Sequence, residues 1–349
     1  MQNESPLVKS MASIYSYYIK YDRLAELIQL NYSGSKAEVV NIFVDLRDIL
    51  KNIPYAGTNP DIIPVILNLC GHYRWFFSKL KVHTRIFVIF SDYNANYIYN
   101  QYVPQYNRPF IDISGDYDTI NFLAKVIRYI PDIHFISTQY EFGVRVLDII
   151  KVDMEKYGCV IPNLVLSKDV YNYQLVGYNI DIRILRPRKY NGEDLSSMIN
   201  NVNVYQELFA ERKCNYIDNI LSPQLLPMIM VLNRVPERKL PRMYNLDNII
   251  KILNGLIFDN SISNSKISSY DEFSDLFNKR LTNRRSKKLN ANTLKDLIKV
   301  VDLEFQLNIY EMCKEVSIYN GIVNLTDNKS LNKVNEQFNY DIDLEKLLV

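Results

Sequence analysis

NLVLSKDVYNYQLV, residues 163–176, runs from a short apolar stretch into a polar Ser167–Lys168–Asp169 step before apolar residues resume. A run this short, bounded by polar residues, reads as a buried strand with Asp169 at its carboxyl end. The pattern recurs on both sides. EVVNIFVDLRDIL (38–50) predicts a strand over Val39–Val44 that ends at Asp45, with a helix after it, and HTRIFVIFSD (83–92) predicts one over Ile86–Phe90 with Asp92 just beyond. IHFIST (133–138) and NIDIRILRP (179–187) complete a set of five strands. Between them, helical spacing of apolar residues marks 61–80, 118–130 (stopped by Pro131) and 141–157 (ended by Gly158). Strands alternating with helices, each crossover long enough for parallel pairing, predict an α/β fold with a mainly parallel central sheet flanked by helices. Ligands of such sheets bind beyond the carboxyl ends of the strands. Asp45, Asp92 and Asp169 all fall there.

From about residue 195 the spacing turns helical, over 200–212, 222–232, 246–257, 271–281 and 293–315, with a polar stretch at 259–269 that reads as a linker or loop. Apolar residues at helical spacing over 11–31 predict a helical N-terminal extension. The expected organisation is therefore an extension over 1–37, an α/β domain over 38–195 and a helical C-terminal region over 196–349. That region closes in an Asn- and Asp-rich tail over 325–349. No internal repeat is visible.

The chain has 349 residues, 48% hydrophobic and 23% charged, the composition of a globular protein with a substantial core. A net charge of +2 excludes neither nucleic acid nor protein partners, because local clusters matter more than the total. Four cysteines stand far apart without a C-x-x-C pair, and there are three histidines, which argues against a zinc site, a disulfide framework or an all-histidine metal centre. The abundance of Tyr, 27 against one Trp, fits an AT-rich coding genome such as that of a phage, a virus or a low-GC bacterium. MQNESPLVKS lacks the layout of a signal peptide, and no apolar run approaches the ~20 residues of a membrane span. The expectation is a protein of the cytoplasm, or one packaged within a virus particle, with no membrane partner. No Gly-rich phosphate loop, Ser/His/Asp arrangement or Cys/His pair is present.

Acids at several strand ends can hold hard divalent cations, which prefer oxygen ligands and act in phosphodiester cleavage by activating water and stabilising the leaving oxygen. The ordinary reading of each acid is a helix cap. Order and surroundings add to the first reading. NIFVDLRDIL resembles the first acidic motif of the flap endonuclease and 5′-3′ exonuclease family, which has a PIN-like fold, and places Asp45 on its first metal ligand. FVIFSDYNANYIYNQYVPQYNR is similar to that family's strand-ending F-D motif and aligns Asp92. IPDIHFISTQYEFGVRVLDII looks like the strand leading into E-A-D-D and aligns Glu141. NLVLSKDVYNYQLV is similar to S-x-D-K-D-x-x-Q-L-V, with Ser167, Asp169, Gln174, Leu175 and Val176 in step. The resemblance runs from about 38 to 190. It implies that Asp45, Asp92, Glu141 and Asp169 form the catalytic, metal-binding set, with Mg²⁺ or Mn²⁺ as cofactor. Residues 224–253 fit the family's helix–hairpin–helix module only in their apolar helices and Leu240–Pro241.

The departures lie at defined positions. Gly143 and Val144 stand where the family has two Asp, and Tyr171 stands where it has the second Asp of D-K-D. The acids and glycines of the helix–hairpin–helix element are missing too. Three potential ligands thus remain for one ion and one for the other, with Asp48 and Asp148 as possible helpers. Three basic groups point to nucleic acid, DNA before RNA. KRLTNRRSKK (279–288) holds Lys279, Arg280, Arg284, Arg285, Lys287 and Lys288; Arg234, Arg238, Lys239 and Arg242 form a second group; Arg183, Arg186, Arg188 and Lys189 form a third. Arg108 is the nearest base after Asp92. The ordinary reading of these groups is solvated surface. The expected function is a diverged 5′-nuclease-like protein that binds nucleic acid, with weak or lost cleavage. The alternatives are a scaffold for viral or replication proteins and an active structure-specific 5′-nuclease.

Overall fold

The computed structural model describes residues 38–51, 62–91, 102, 116–128, 130–158, 161–178, 181–186, 189–190, 193–194, 197–212, 214, 220–233, 243–265, 267–281 and 288–313. The predicted extension over 1–37 and the tail over 325–349 lie outside them. All five predicted strands are present: β1 (Val39–Asp45), β2 (His83–Ser91), β3 (Ile133–Thr138), β4 (Asn163–Leu166) and β5 (Ile182–Arg186). They pair in parallel in the order β3-β2-β1-β4-β5. Their near-continuous apolar character follows from burial on both faces.

The crossovers are helical. α1 (Leu46–Lys51) and α2 (Ile62–Lys79) follow β1, α3 (Asp116–Ile127) precedes β3, and α4 (Phe142–Tyr157) joins β3 to β4. Gly158 ends α4 with φ 63°, in the left-handed region that glycine enters without cost, and its N–H closes on the Met154 carbonyl. Strand alternation divides the sheet. Val40, Ile42 and Val44 face α1, α2 and α3, whereas Phe43 faces α4 and the C-terminal helices.

After β4 the chain forms a 3₁₀ helix over Val170–Gly177, which the sequence reading left unassigned. Beyond β5 come a small ribbon, β6 (Lys189–Tyr190) with β7 (Glu193–Asp194), and then β8 (Ser197–Ile199), which adds antiparallel to β5. The helix expected from 200 therefore starts later, as α5 (Val204–Arg212). The intervening turn is held by the Asn200 side chain, which accepts from the Val202 and Asn203 N–H groups. The remaining helices are α6 (Leu226–Asn233), α7 (Leu246–Phe258), α8 (Tyr270–Arg280), α9 (Ala291–Val301) and α10 (Leu303–Cys313).

The single helix expected over 293–315 is two, because Asp302 has extended backbone and both ends α9 and caps α10. The polar stretch at 259–269 is pinned: Asn264 accepts from the Ser222 N–H and donates to the Ile220 carbonyl. One core cluster runs from Phe43 and Phe87 of the sheet through α4 to Leu256, Phe277, Leu297 and Leu303, so the C-terminal helices share the sheet's core. Among the described residues no helix is long and apolar enough to cross a membrane.

At the amino end of β5, Asp181 is fully buried beside Arg183, with Oδ1 2.8 Å from the guanidinium. Burial raises its carboxyl above the ordinary 3.8, and Arg183 offsets only part of this. The folded state then holds this proton more tightly than the unfolded chain. The carboxyl costs no stability below about pH 4, and the cost grows as pH rises through the window up to its raised folded value. Asp181→Asn is therefore expected to raise the melting temperature by a few degrees at pH 7 and to leave it unchanged near pH 3. A lower melting temperature at pH 7 would mean that the Arg183 pair outweighs the burial.

Candidate functional site

The parallel register sets the strand ends side by side. Asp45 lies beside Ile89 of β2, and its neighbour Val44 lies beside Leu166 of β4. Ser167, the first residue past β4, therefore comes level with Asp45. Ser167 Oγ donates to Asp45 Oδ2 at 3.1 Å, and Asn172 Nδ2 donates to Ser167 Oγ at 2.9 Å while reaching Asp45 Oδ2 at 3.5 Å. The Asp169 N–H donates to Ser167 Oγ at 3.2 Å. One turn into α1, Asp48 Oδ2 accepts the Lys168 N–H at 2.5 Å. Asp45, Asp48, Ser167, Asp169 and Asn172 thus form one buried, linked group.

Both strand-end acids also cap. Asp45 Oδ1 accepts the Asp48 N–H at 3.2 Å, and Asp169 Oδ1 accepts the Tyr171 N–H at 2.9 Å, starting the 3₁₀ helix. The capping reading and the ligand reading are compatible here, since a carboxylate has about four acceptor positions.

Glu141 stands fully buried at the N-cap of α4, with extended backbone, and its side chain does not cap its own helix. Gly143, in the first turn of α4, brings that turn to Asn172: a Cβ there would lie 3.3 Å from Asn172 Oδ1. The first turn of α4 therefore packs on the residue that bridges Ser167 and Asp45. Asp92 lies outside the described residues. The last residue before it, Ser91, ends β2 and accepts from the Arg47 guanidinium at 3.2 Å. Among the described residues no three His, Cys, Asp or Glu side chains are grouped to hold a metal ion. The structure thus joins Asp45 to Asp169 through Ser167 and packs the first turn of α4, which follows Glu141, on Asn172.

Two positions where the resemblance expects acids are filled. The Cβ built at Gly143 would stand 2.6 Å from Leu303 Cδ1, so a carboxylate from this position would enter space held by a fully buried leucine of α10. Tyr171 is itself fully buried. Its hydroxyl donates to the Val301 carbonyl at 2.7 Å and accepts from Gln306 Nε2 at 2.9 Å. Arg145 of α4 ties the same helix down: it donates to the Tyr310 hydroxyl, lies 5.0 Å over that ring and pairs with Asp148 at 2.6 Å. Tyr140 meets Tyr310 edge-to-face at 5.0 Å. The helix α10 is thereby clamped over this half of the site, its start through Leu303 and Gln306 and its later turn through Tyr310.

Cations are built into the same end of the sheet. Arg47, Arg145 and Arg186 are buried, and Arg186 donates to the Tyr173 hydroxyl at 2.6 Å. Lys168 has its ammonium lowered by burial; Asp48 opposes the shift and Arg186 adds to it. Of the Q-L-V residues, Leu175 and Val176 pack in the core, and Gln174 donates to the Tyr171 carbonyl at 3.2 Å.

Among the predicted nucleic-acid contacts, Lys279 and Arg280 occupy the last turn of α8, and Arg280 pairs with Asp259. Lys288 follows as an exposed residue before α9. Arg108, Arg234, Arg238, Lys239, Arg242, Arg284, Arg285 and Lys287 lie outside the described residues. Asn172 is the residue the sequence reading passed over; its signal is a buried amide between the two tyrosines of VYNYQLV, beside the Gln174 that the motif already marked.

No family model matches the sequence, and no curated protein is similar to it at the level of sequence. Solved structures are similar. The flap endonuclease of bacteriophage T5, in a pseudo-enzyme–product complex with DNA and metal ions, matches at 9% identity and TM-score 0.52, over 85% of this chain and all of that one. The same phage protein co-crystallised with metal ions matches at 10% identity and TM-score 0.44, over 77% and 91% of the two chains. The T5 5′-exonuclease with zinc bound matches at 8% and 0.45, over 85% and 97%. The first likeness establishes the fold: this chain has the PIN-like α/β fold of the 5′-nucleases.

Proposed function

We propose that this chain is a nuclease-fold protein that binds nucleic acid, DNA in preference to RNA, with weak or absent metal-dependent cleavage. The observation that carries this reading is the contrast between the two halves of the strand-end group. Asp45, Ser167 and Asp169 are kept and joined, while Leu303 and Tyr171 occupy the positions of two further acids. A pair of Mg²⁺ or Mn²⁺ ions does not fit such a site, because one ion would face a leucine and a tyrosine engaged with backbone carbonyls. No cleavage step through a second ion follows from this geometry. The DNA in the similar phage endonuclease complex and the cationic residues at 279–288 support the class of partner.

Binding and cleavage separate in one experiment. A labelled 5′-flap duplex and a single strand are incubated with the protein in Mg²⁺ or Mn²⁺, beside an Asp45→Ala variant. The flap should be retained without being cut, and its affinity should fall with salt by a log–log slope of about 0.9 per neutralised phosphate. Replacing Lys279, Arg280, Arg284, Arg285, Lys287 and Lys288 by Gln should weaken binding about tenfold or more at 0.1 M salt, taken as a roughly physiological ionic strength. Cleavage that disappears in Asp45→Ala would return the protein to the active nucleases. Binding that is undetectable or indifferent to salt would favour a scaffold for viral or replication proteins.

A further inference from the structure

The carboxyl ends of α7 and α8 meet at the surface. Gly255 leaves a gap on α7 that the Arg280 guanidinium fills, since a Cβ built there would stand 2.6 Å from Arg280 Nη1. Arg280 also pairs with Asp259, the residue that follows α7. Asn278, in the last turn of α8, accepts from the Leu289 N–H at 2.8 Å and donates to the Leu289 carbonyl at 2.9 Å. That pair of bonds sets the exposed Lys288 beside the turn that carries the exposed Lys279. The sequence between them adds Arg284, Arg285 and Lys287 and no acid.

Phe258, the last residue of α7, is 83% exposed at this meeting point. A lone apolar residue on a surface is ordinary. This one stands apart: among the residues whose side chains are described, no other Phe, Tyr or Trp is as much as half exposed. Lys251, exposed as well, lies seven residues earlier, two turns back on the same face of α7 and about 10 Å along its axis. Of the acids in the two helices and the loop between them, Asp259 pairs with Arg280 and Asp271 with Lys295. A ligand suited to an open ring set among cations offers flat apolar surfaces and negative charge together. An unpaired strand does so, because every base has a π-face and every nucleotide a phosphate.

We propose that this face binds single-stranded nucleic acid, with Phe258 stacking on an unpaired base and Lys251, Lys279 and Lys288 donating to the phosphates around it. The inference rests on the nucleic-acid reading above and adds to it the form of the strand and the side chain that recognises it.

A labelled single strand and a blunt duplex of the same sequence are titrated with the full chain at low salt and followed by fluorescence anisotropy. Phe258→Ala should weaken single-strand binding about fivefold or more and leave duplex binding within about twofold. Phe258→Trp should keep the affinity, whereas Phe258→Leu, apolar but without a π-face, should lose about as much as the Ala variant. Lys251→Gln should lower the log–log salt slope for the single strand by about 0.7. Thermal melts check that each variant folds. Single-strand binding that Phe258→Ala leaves unchanged overturns this inference while the nucleic-acid reading stands; no binding of either form by the wild-type chain overturns both. An equal loss on the duplex also overturns it, because the ring would then touch the backbone and not a base. Self-association of the wild-type chain that Phe258→Ala abolishes overturns it in favour of a contact between copies.

Discussion

Asp153→Ala is expected to destabilise the protein by about 3–5 kcal/mol, because it leaves a largely buried guanidinium without its counter-charge. The parallel register places Arg85 of β2, Asn41 of β1 and Asn163 of β4 in one row across the sheet. Asp153 reaches down from α4 onto that row. Its Oδ2 accepts from Asn41 Nδ2 at 2.9 Å, its Oδ1 accepts from Arg85 at 3.1 Å, and a second Arg85 nitrogen pairs with Oδ2. Arg85 also donates twice to Asn41 Oδ1, at 2.7 and 3.0 Å. Asn41 Nδ2 donates to Asn163 Oδ1 at 3.0 Å, and Asn163 Nδ2 donates to the Ile161 carbonyl at 2.6 Å. The row fixes how α4 sits on the sheet, and α4 in turn carries Glu141 and Gly143 to the strand-end group. Urea unfolding of Asp153→Ala beside Asp153→Asn measures the effect, with the Asn variant expected to lose less because it keeps one acceptor. A loss below about 1 kcal/mol for Asp153→Ala would show that water replaces the carboxylate and that other contacts position α4.

The physics of the row also explains what the sequence could and could not reveal. Strands buried on both faces must be nearly all apolar, so β1 to β5 and the acids that follow them stand out from their surroundings. Asn41, Arg85, Asn163 and Asp153 look like isolated polar residues until the register is known, because register joins segments that are distant along the chain. β8 has three residues, too few for any periodicity to show. The apolar spacing of α9 continues into α10, so Asp302 reads as a solvated position within one helix rather than as a break between two. Gly143 and Tyr171 were legible as departures from a motif. What fills the space they leave was not, since the carbonyl that receives the Tyr171 hydroxyl lies 130 residues further on.

That hydroxyl carries the second large prediction. Tyr171→Phe should cost about 1–2 kcal/mol, because the bonds to the Val301 carbonyl and Gln306 are lost while Gln306 keeps its bond to the Val300 carbonyl at 2.7 Å. Tyr171→Asp, which writes the motif's acid back, should cost far more, about 3–5 kcal/mol or greater. The shorter side chain empties the volume of a fully buried ring and turns a carboxylate toward carbonyl oxygens that need a donor. Leu303, at the next position of the clamp, would still stand against Gly143, so no second set of oxygen ligands forms. Tyr171→Asp should therefore unfold at markedly lower urea and gain no cleavage of a 5′-flap in Mg²⁺. The opposite result, a stable variant that Mg²⁺ protects against unfolding, would mean that the start of α10 gives way easily to an ion. In that case the filled half of the site would be an acid position missing a single side chain, and the reading of this chain as a binding protein with little or no cleavage would have to be abandoned.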